Sequence, residues 1–248
     1  MTLILSGDIT LRRTWQPMDP DAAAYITAVE SADGQALEEP VKIAIDNFVL
    51  GCKADGIWDA IKASCILAGA RTLDGALVPL AGTAPTNFNF VSGDYNRKTG
   101  LVGDGSTKYL DSNRANNADP QDSNHNAVFS TSGAPAMGSL LNNLIFLNNQ
   151  RSRVSSSQGL NLQEGFSGVN RSSSSSFLSR TARFSAEFFA VSAVPDSTNV
   201  AVYRRNNPSS PLGSNARLAF YSIGESLDLA LLDARVTDLI NKFAEVIP

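Results

Sequence analysis

The spacing of apolar residues changes near the C-terminus. From Arg217 to Ile223 apolar residues are nearly continuous, which is typical of a strand that is buried on at least one face. After Gly224 they recur every three or four positions, at Leu229, Leu232, Val236, Leu239, Ile240 and Phe243. The opposite side of this helical pattern carries Asp228, Asp233, Arg235, Asp238 and Lys242. The pattern predicts a buried strand followed by a short amphipathic helix that closes the chain.

The N-terminal part predicts a hairpin followed by helices. Short apolar runs at residues 3–5 and 9–11 flank a Ser-Gly-Asp turn and indicate two paired strands. Asp19-Pro20 predicts a helix start, because the carboxylate can accept first-turn amides and proline fits the first helical position. Glu38-Glu39-Pro40 predicts a second helix, which should end near Gly51.

A third helix is predicted over residues 57–67. Ile57, Ile61 and Cys65 recur there at a spacing of four, and Gly69 follows as a stop signal. Trp58 can be a platform on which a sugar stacks or part of the core, and its apolar neighbours favour the core. We interpret residues 1–85 as an attachment or assembly module, with a boundary in the Gly- and Pro-containing join before residue 86.

Short strands separated by Asn, Ser and Gly turns fill residues 86–248. The turn spacing is typical of a sandwich of antiparallel sheets, with helices only at the two ends of the chain. The predicted strands are 101–102, 108–112, 126–131, 144–148, 152–156, 168–171, 181–186, 188–193, 200–204 and 217–222. The serine run at 172–176 is too short for a linker, so we expect a polar hairpin or an outer strand.

Composition narrows the classes of function. The chain has 248 residues, 18% of them charged, and a net charge of -4. Acidic and basic residues are mixed and form no basic stripe, which argues against nucleic acid as a partner. The N-terminus has neither the pattern of a signal peptide nor that of a membrane span. Cys52 and Cys65 lie in apolar surroundings, where buried free thiols are favoured over a disulfide or a metal pair.

Two segments carry a resemblance to a known family. RLAFYSIGESL at residues 217–227 resembles the closing signature of concanavalin A-like, or laminin G-like, jelly-roll domains in structural proteins of tailed bacteriophages, cyanophages among them. TGLVGDGSTKYLD at residues 99–111 is similar to the first inner strand of such domains. The resemblance implies a mainly β fold: an antiparallel jelly-roll sandwich over residues 86–248, preceded by a helical and mixed module and closed by a helix.

The single histidine is the first candidate for chemistry. His125 lies beside two asparagines and near Asp119 and Asp122, so a Ser-His-Asp site would have to use it. No Gly-x-Ser-x-Gly elbow occurs, and we predict a role for His125 in a turn or at a strand edge. One histidine and two cysteines in helical patterns do not supply a zinc site.

The carboxylates give no catalytic motif. The glucanase branch of the concanavalin A-like fold uses Glu-x-Asp-x-x-Glu on one strand, which is absent here, and Glu164, Glu187 and Glu225 are isolated. Asp104, Asp111, Asp119 and Asp122 could hold calcium, but without a dedicated calcium loop we favour solvated turn carboxylates. The sequence predicts no catalytic, cofactor-binding or metal-ligating residue and does not locate a binding site.

Two functions remain open. The first, implied by the resemblance, is a non-enzymatic virion protein made in the host cytoplasm and displayed as a tail fibre or spike or as capsid decoration. Its expected partners are other virion proteins, further copies of itself (a trimer if it is a fibre tip) and host-surface glycan, without membrane insertion. The second is a free carbohydrate-binding or carbohydrate-cleaving protein of the lectin or glucanase fold.

Overall fold

A computed structural model describes residues 18–132, 164–195, 197–205 and 212–248. The predicted hairpin at 3–11 and the predicted strands at 144–148 and 152–156 lie outside these residues. The helices are α1 (Pro20–Asp33), α2 (Glu39–Ala54), α3 (Leu73–Ala76) and α4 (Leu229–Val246). The strands are β1 (Ile61–Ile66), β2 (Thr86–Phe88), β3 (Tyr95–Asn96), β4 (Gly100–Val102), β5 (Tyr109–Ala115), β6 (Asn124–Ser132), β7 (Gly165–Arg171), β8 (Ser176–Thr181), β9 (Phe184–Phe189), β10 (Asn199–Val202), β11 (Arg204–Arg205), β12 (Leu212–Gly213) and β13 (Arg217–Gly224).

The described residues form a mainly β fold with antiparallel sheets. The large sheet has eight strands in the order β3-β4-β13-β6-β7-β8-β9, with β1 also paired to β13. A second sheet has the order β10-β5-β2, and β11 pairs with β12. One apolar core joins the helices to the large sheet, and a second core includes buried residues of the large sheet, β5 and β10. This arrangement of layers fits a β sandwich with helices on one outer face.

The strand predicted at the C-terminus is confirmed, and it is buried on both faces. β13 pairs with β6, β4 and β1, so its backbone is enclosed by neighbours. Phe220 lies in the helix-side core, whereas Leu218 and Tyr221 lie in the core between the sheets. Residues three apart share one face here because the pairing register shifts between Leu218 and Phe220, as at a β-bulge.

The helix starts are confirmed. Asp19 caps α1 by accepting a hydrogen bond from the Asp21 amide, and Gly34 ends the helix with a φ of 68°. The second helix runs past Gly51, which was predicted to end it. A Cβ atom at Gly51 would lie 2.7 Å from Nε of Arg235, so this glycine gives α4 room to approach α2. The glycine serves packing between helices and not termination.

The predicted third helix is wrong, because residues 61–66 form strand β1. This strand pairs with β13, and the Ser64 hydroxyl donates a hydrogen bond to the Tyr221 carbonyl at 2.6 Å. The spacing of four between Ile61 and Cys65 suggested a helix face, but a register shift between Ile61 and Ala63 places Ile61 in the helix-side core and Cys65 in the core between the sheets. β1 falls inside the predicted N-terminal module, yet it belongs to the same sheet as β13.

Two predicted strands near residue 185 are also wrong in their bounds. The chain turns between β8 and β9 at Ala182 and Arg183, whose φ values are 49° and 71°. Neither residue type commonly adopts positive φ, so the sequence carries no turn signal there. The preceding serine run does form a polar hairpin connection, between β7 and β8.

Glu38 connects the start of α2 to the chain between β3 and β4. Its carboxylate accepts hydrogen bonds from Arg97 Nη1 at 3.0 Å and Nη2 at 2.7 Å, and Arg71 Nη2 lies 3.2 Å away. The hydrogen bonds from Arg97 lower the pKa of Glu38 to about 2 against the opposing effect of burial.

We expect Glu38→Gln to destabilise the protein at pH 6 and to have little effect near pH 2. A carboxyl whose pKa is lowered by folding stabilises the fold above its unfolded value of 4.5, and this contribution disappears as the pH falls towards 2. Urea unfolding at pH 6, 4 and 2.5 measures the difference between wild type and variant. Glu39→Gln, at an exposed neighbouring position, is the control. An equal loss of stability at all three pH values would contradict the prediction.

Candidate functional site

His125 is the second residue of β6, so of its two predicted roles, in a turn or at a strand edge, the turn is wrong. Its side chain is fully buried on β6, at the centre of the large sheet. Nδ1 lies 2.5 Å from the Glu225 carbonyl and Nε2 lies 2.7 Å from Oγ of Ser222. Because a carbonyl only accepts, Nδ1 donates to Glu225, and Nε2 shares a second hydrogen bond with the serine hydroxyl.

This pair has the contacts of a nucleophilic serine and its base, but it lacks access to substrate. Ser222 is also fully buried, on β13. The group that orients the imidazole is a backbone carbonyl, whereas a Ser-His-Asp triad uses a carboxylate. The hydrogen bonds of His125 therefore join β6 to β13 and to the turn that leads into α4.

We expect Ser222→Ala to lower the free energy of unfolding by about 1–3 kcal/mol, because it removes a buried hydrogen bond to the imidazole. Chemical denaturation monitored by circular dichroism measures the loss. The matched control is Ser172→Ala at an exposed position just after β7, which should change stability by less than about 0.5 kcal/mol. Equal effects of the two substitutions would exclude the structural role assigned to Ser222.

The two cysteines are free and buried, as predicted. Cys52 lies in the helix-side core and Cys65 in the core between the sheets, so they occupy opposite faces of the large sheet. Burial raises the pKa of both thiols to about 12, although a hydrogen bond to Tyr221 acts in the opposite direction on Cys65. Both side chains are thiols that pack in the core at neutral pH.

Three of the four aspartates considered for calcium have separate structural contacts, and the fourth is exposed. Asp104 accepts hydrogen bonds from the amides of Ser106, Thr107 and Lys108 and organises an exposed turn. Burial alone would raise the pKa of Asp104. These hydrogen bonds, together with one from the Thr107 hydroxyl, outweigh the effect of burial, so the pKa lies below its usual value. Asp111 accepts from the Asn113 amide, Asp119 pairs with Arg114, and Asp122 is exposed. Within the described ranges, no group of three His, Cys, Asp or Glu residues is placed to hold a metal ion.

The glutamates considered for glycan hydrolysis lie on different elements. Glu187 is exposed on β9, whereas Glu225 follows β13 and pairs with Lys62 at 3.1 Å. These two strands are four positions apart in the large sheet, which corresponds to about 19 Å at the usual strand separation. Glycosidase carboxylates lie about 5–10 Å apart. Glu164 immediately precedes β7.

An open cleft of about 500 Å³ borders Trp58. Its walls are α1 and the segment around Pro79, and the carboxylates of Asp21 and Asp59 lie in its lining. Trp58 is half-buried at the margin of the helix-side core, and Nζ of Lys53 lies 5.7 Å from its ring centroid. The structure therefore places Trp58 both against the core and on the surface of a cleft.

The largest exposed apolar side chains of the described surface cluster around β9. Phe184 and Phe189 are 82% and 85% exposed, and Val191 and Val194 follow just beyond the strand. Among the described strands β9 has only one neighbour, β8, so it forms an edge of the large sheet. An exposed apolar sheet edge without lysine or proline is a surface on which another strand can pair. We call Phe184–Phe189 the β9 edge.

Sequence reasoning did not find this surface. The predicted strands at 181–186 and 188–193 divide residues 184–189 between two strands, whereas the structure joins them in one. Alternation indicates which residues share a face, but it does not indicate that a strand ends the sheet. The only direct signal is the absence of lysine and proline, the residues that commonly protect an edge.

Comparison with protein-family models, with curated proteins and with solved structures found no match to this chain. Among the helices of the described residues, none combines the length and the apolar character that a membrane crossing needs. A functional proposal for this chain therefore depends on its sequence and on the geometry of the described residues.

Proposed function

We propose that this chain is a non-enzymatic structural protein of a tailed-phage virion. It is displayed on the particle as a tail fibre or spike or as capsid decoration, and it acts through contact with other virion proteins or with host-surface glycan. The observation that supports this proposal best is the β9 edge, which exposes apolar side chains and a strand border suited to association with another chain.

We also propose that the sandwich is a jelly roll of the concanavalin A-like type. The two segments that resemble such domains contain β4 and β13, which pair with each other at Leu101 and Leu218. Both leucines are fully buried. The two segments that carry the resemblance thus contain neighbouring core strands. The resemblance supports a fold and does not indicate a ligand.

The proposed function is tested on particles purified from an infected culture. Mass spectrometry and cryo-electron microscopy of the particles should find the chain at a fixed number of copies. Recombinant chain should bind particles that lack it, and substitutions on the β9 edge should weaken this binding. Absence of the chain from washed, intact particles would overturn the proposal.

The cleft beside Trp58 favours a second candidate, a free carbohydrate-binding or carbohydrate-cleaving protein. An aromatic ring beside two carboxylates offers a stacking face together with hydrogen-bond acceptors for hydroxyl groups. Binding on a glycan array that is lost in Trp58→Ala would support this candidate. Release of reducing sugar from the bound glycan would then separate cleavage from simple binding.

A further inference from the structure

We propose that the β9 edge binds a second copy of this chain by antiparallel pairing of β9 with β9 about a two-fold axis. The pairing would join two eight-stranded sheets into one continuous sheet. This inference rests on the proposed function, because it names the partner of the surface that supports it. The direction of the backbone groups, the strand register and the charges each limit how two copies of β9 can pair.

The outer border of β9 presents alternate backbone groups. Ala190 donates its amide to the Ser175 carbonyl, and the register of β8 and β9 places these residues opposite each other. Because backbone groups alternate in direction along a strand, Ala186 and Phe188 also face β8. The amides and carbonyls of Ser185, Glu187 and Phe189 consequently face away from the sheet.

Two-fold symmetry limits the register. An axis perpendicular to the sheet keeps the same face of both copies on the same side, so only residues of equal parity can lie opposite each other. With Ala186 on the axis, Phe184 lies opposite Phe188 of the second copy. By symmetry, Phe188 lies opposite Phe184 of the second copy. Cross-strand aromatic pairs stabilise antiparallel strands, and the small Ala186 side chains avoid crowding at the axis.

Charge favours the register with Ala186 on the axis over the register with Glu187 on the axis. With Ala186 on the axis, Glu187 lies opposite Ser185 of the second copy, whose hydroxyl can donate to the carboxylate. With Glu187 on the axis, two glutamates would lie directly opposite each other and repel. In the favoured register Ser185 and Glu187 of both copies supply about four backbone hydrogen bonds.

Aromatic contacts within one copy prepare this surface. Phe188 stacks on Phe177 with ring centroids 5.2 Å apart, so its orientation is already set by the fold. Phe184 is 82% exposed, and the pairing would cover it with Phe188 of the second copy. Burial of exposed apolar area supplies the driving force for association.

Sedimentation equilibrium of the full chain between 1 and about 100 µM tests the pairing. We expect a reversible dimer of the 26.3 kDa chain. Ser185→Glu should lower the association constant at least about tenfold, because each new glutamate faces Glu187 of the other copy. Adding Glu187→Lys to that variant should restore association, since opposite charges then face each other. Leu50→Lys, at an exposed apolar position on α2, is the control and should leave the dimer unchanged.

Hydrogen exchange measured at low and high concentration distinguishes the two borders of β9. The amides of Ser185 and Glu187 should gain protection as the concentration rises, whereas those of Ala186 and Phe188 should be protected at both concentrations. A monomer throughout the range, a trimer, or a dimer unaffected by Ser185→Glu would overturn the proposed pairing. If a monomeric protein still binds particles, the proposed function stands and the pairing is wrong. If the protein dimerises but is absent from particles, the pairing stands and the proposed function is wrong.

Discussion

Phe220→Ala is expected to lower the free energy of unfolding by about 3–5 kcal/mol, the range for removing a large aromatic side chain from a packed core. Phe220 is fully buried at the centre of β13. Its ring makes an edge contact with Phe48 of α2, with centroids 5.8 Å apart and planes at 64°. The substitution therefore opens a cavity where the large sheet meets the helices.

Urea unfolding followed by circular dichroism measures this effect. The matched control is Phe189→Ala, which removes the same atoms from a side chain that is 85% exposed. It should change stability by less than about 0.5 kcal/mol when the protein is dilute enough to be monomeric. Similar losses at the two positions would contradict the assigned core. Since a domain has about 5–15 kcal/mol of stability, Phe220→Ala should leave little margin against unfolding.

The second large effect is expected from Asp233→Ala, at about 3–5 kcal/mol. Asp233 lies on α4 and is only 3% exposed, and Nε of Arg180 on β8 lies 2.7 Å from its carboxylate. The hydroxyl of Thr237 also donates to Asp233, at 3.0 Å. Removal of the carboxylate leaves a largely buried guanidinium without the anion that neutralises it.

Asp238→Ala on the same helix is the control, because Asp238 is exposed. Arg180→Ala and the double variant complete a mutant cycle, in which the double variant should be more stable than the sum of the single losses implies. Additive losses would show that the two side chains do not interact. Chemical denaturation of all four proteins at pH 7 provides the values.

Asp233 is also connected to the β9 edge through Arg180. Arg180 donates to the Ser185 hydroxyl at 3.0 Å, so one guanidinium connects α4, β8 and β9. Asp233→Ala should therefore weaken the anchoring of the β8–β9 hairpin as well as the fold. A fall in dimer population in this variant would link the stability of the hairpin to the proposed pairing.

At Asp233 and His125 the sequence and the structure disagree because of contacts between distant residues. Asp233 has the spacing of a solvent-facing residue, yet its carboxylate lies against a strand 53 positions away in the chain. His125 has polar neighbours in the sequence, yet β13 and the turn after it surround its ring. In both cases the partners are set by which strands pair and by where the helices cross the sheet.

The sequence by itself determined the local features of this protein. Helix starts at Asp19 and Glu38, the closing strand and helix, and the burial of both thiols follow from caps, spacing and apolar neighbours within one turn or one strand. Only the tertiary structure decided that residues 61–66 form a strand, that His125 and Asp233 are buried, and that β9 ends the sheet. The physical reason is that strand pairing and burial depend on residues far apart in the chain, to which local periodicity is insensitive.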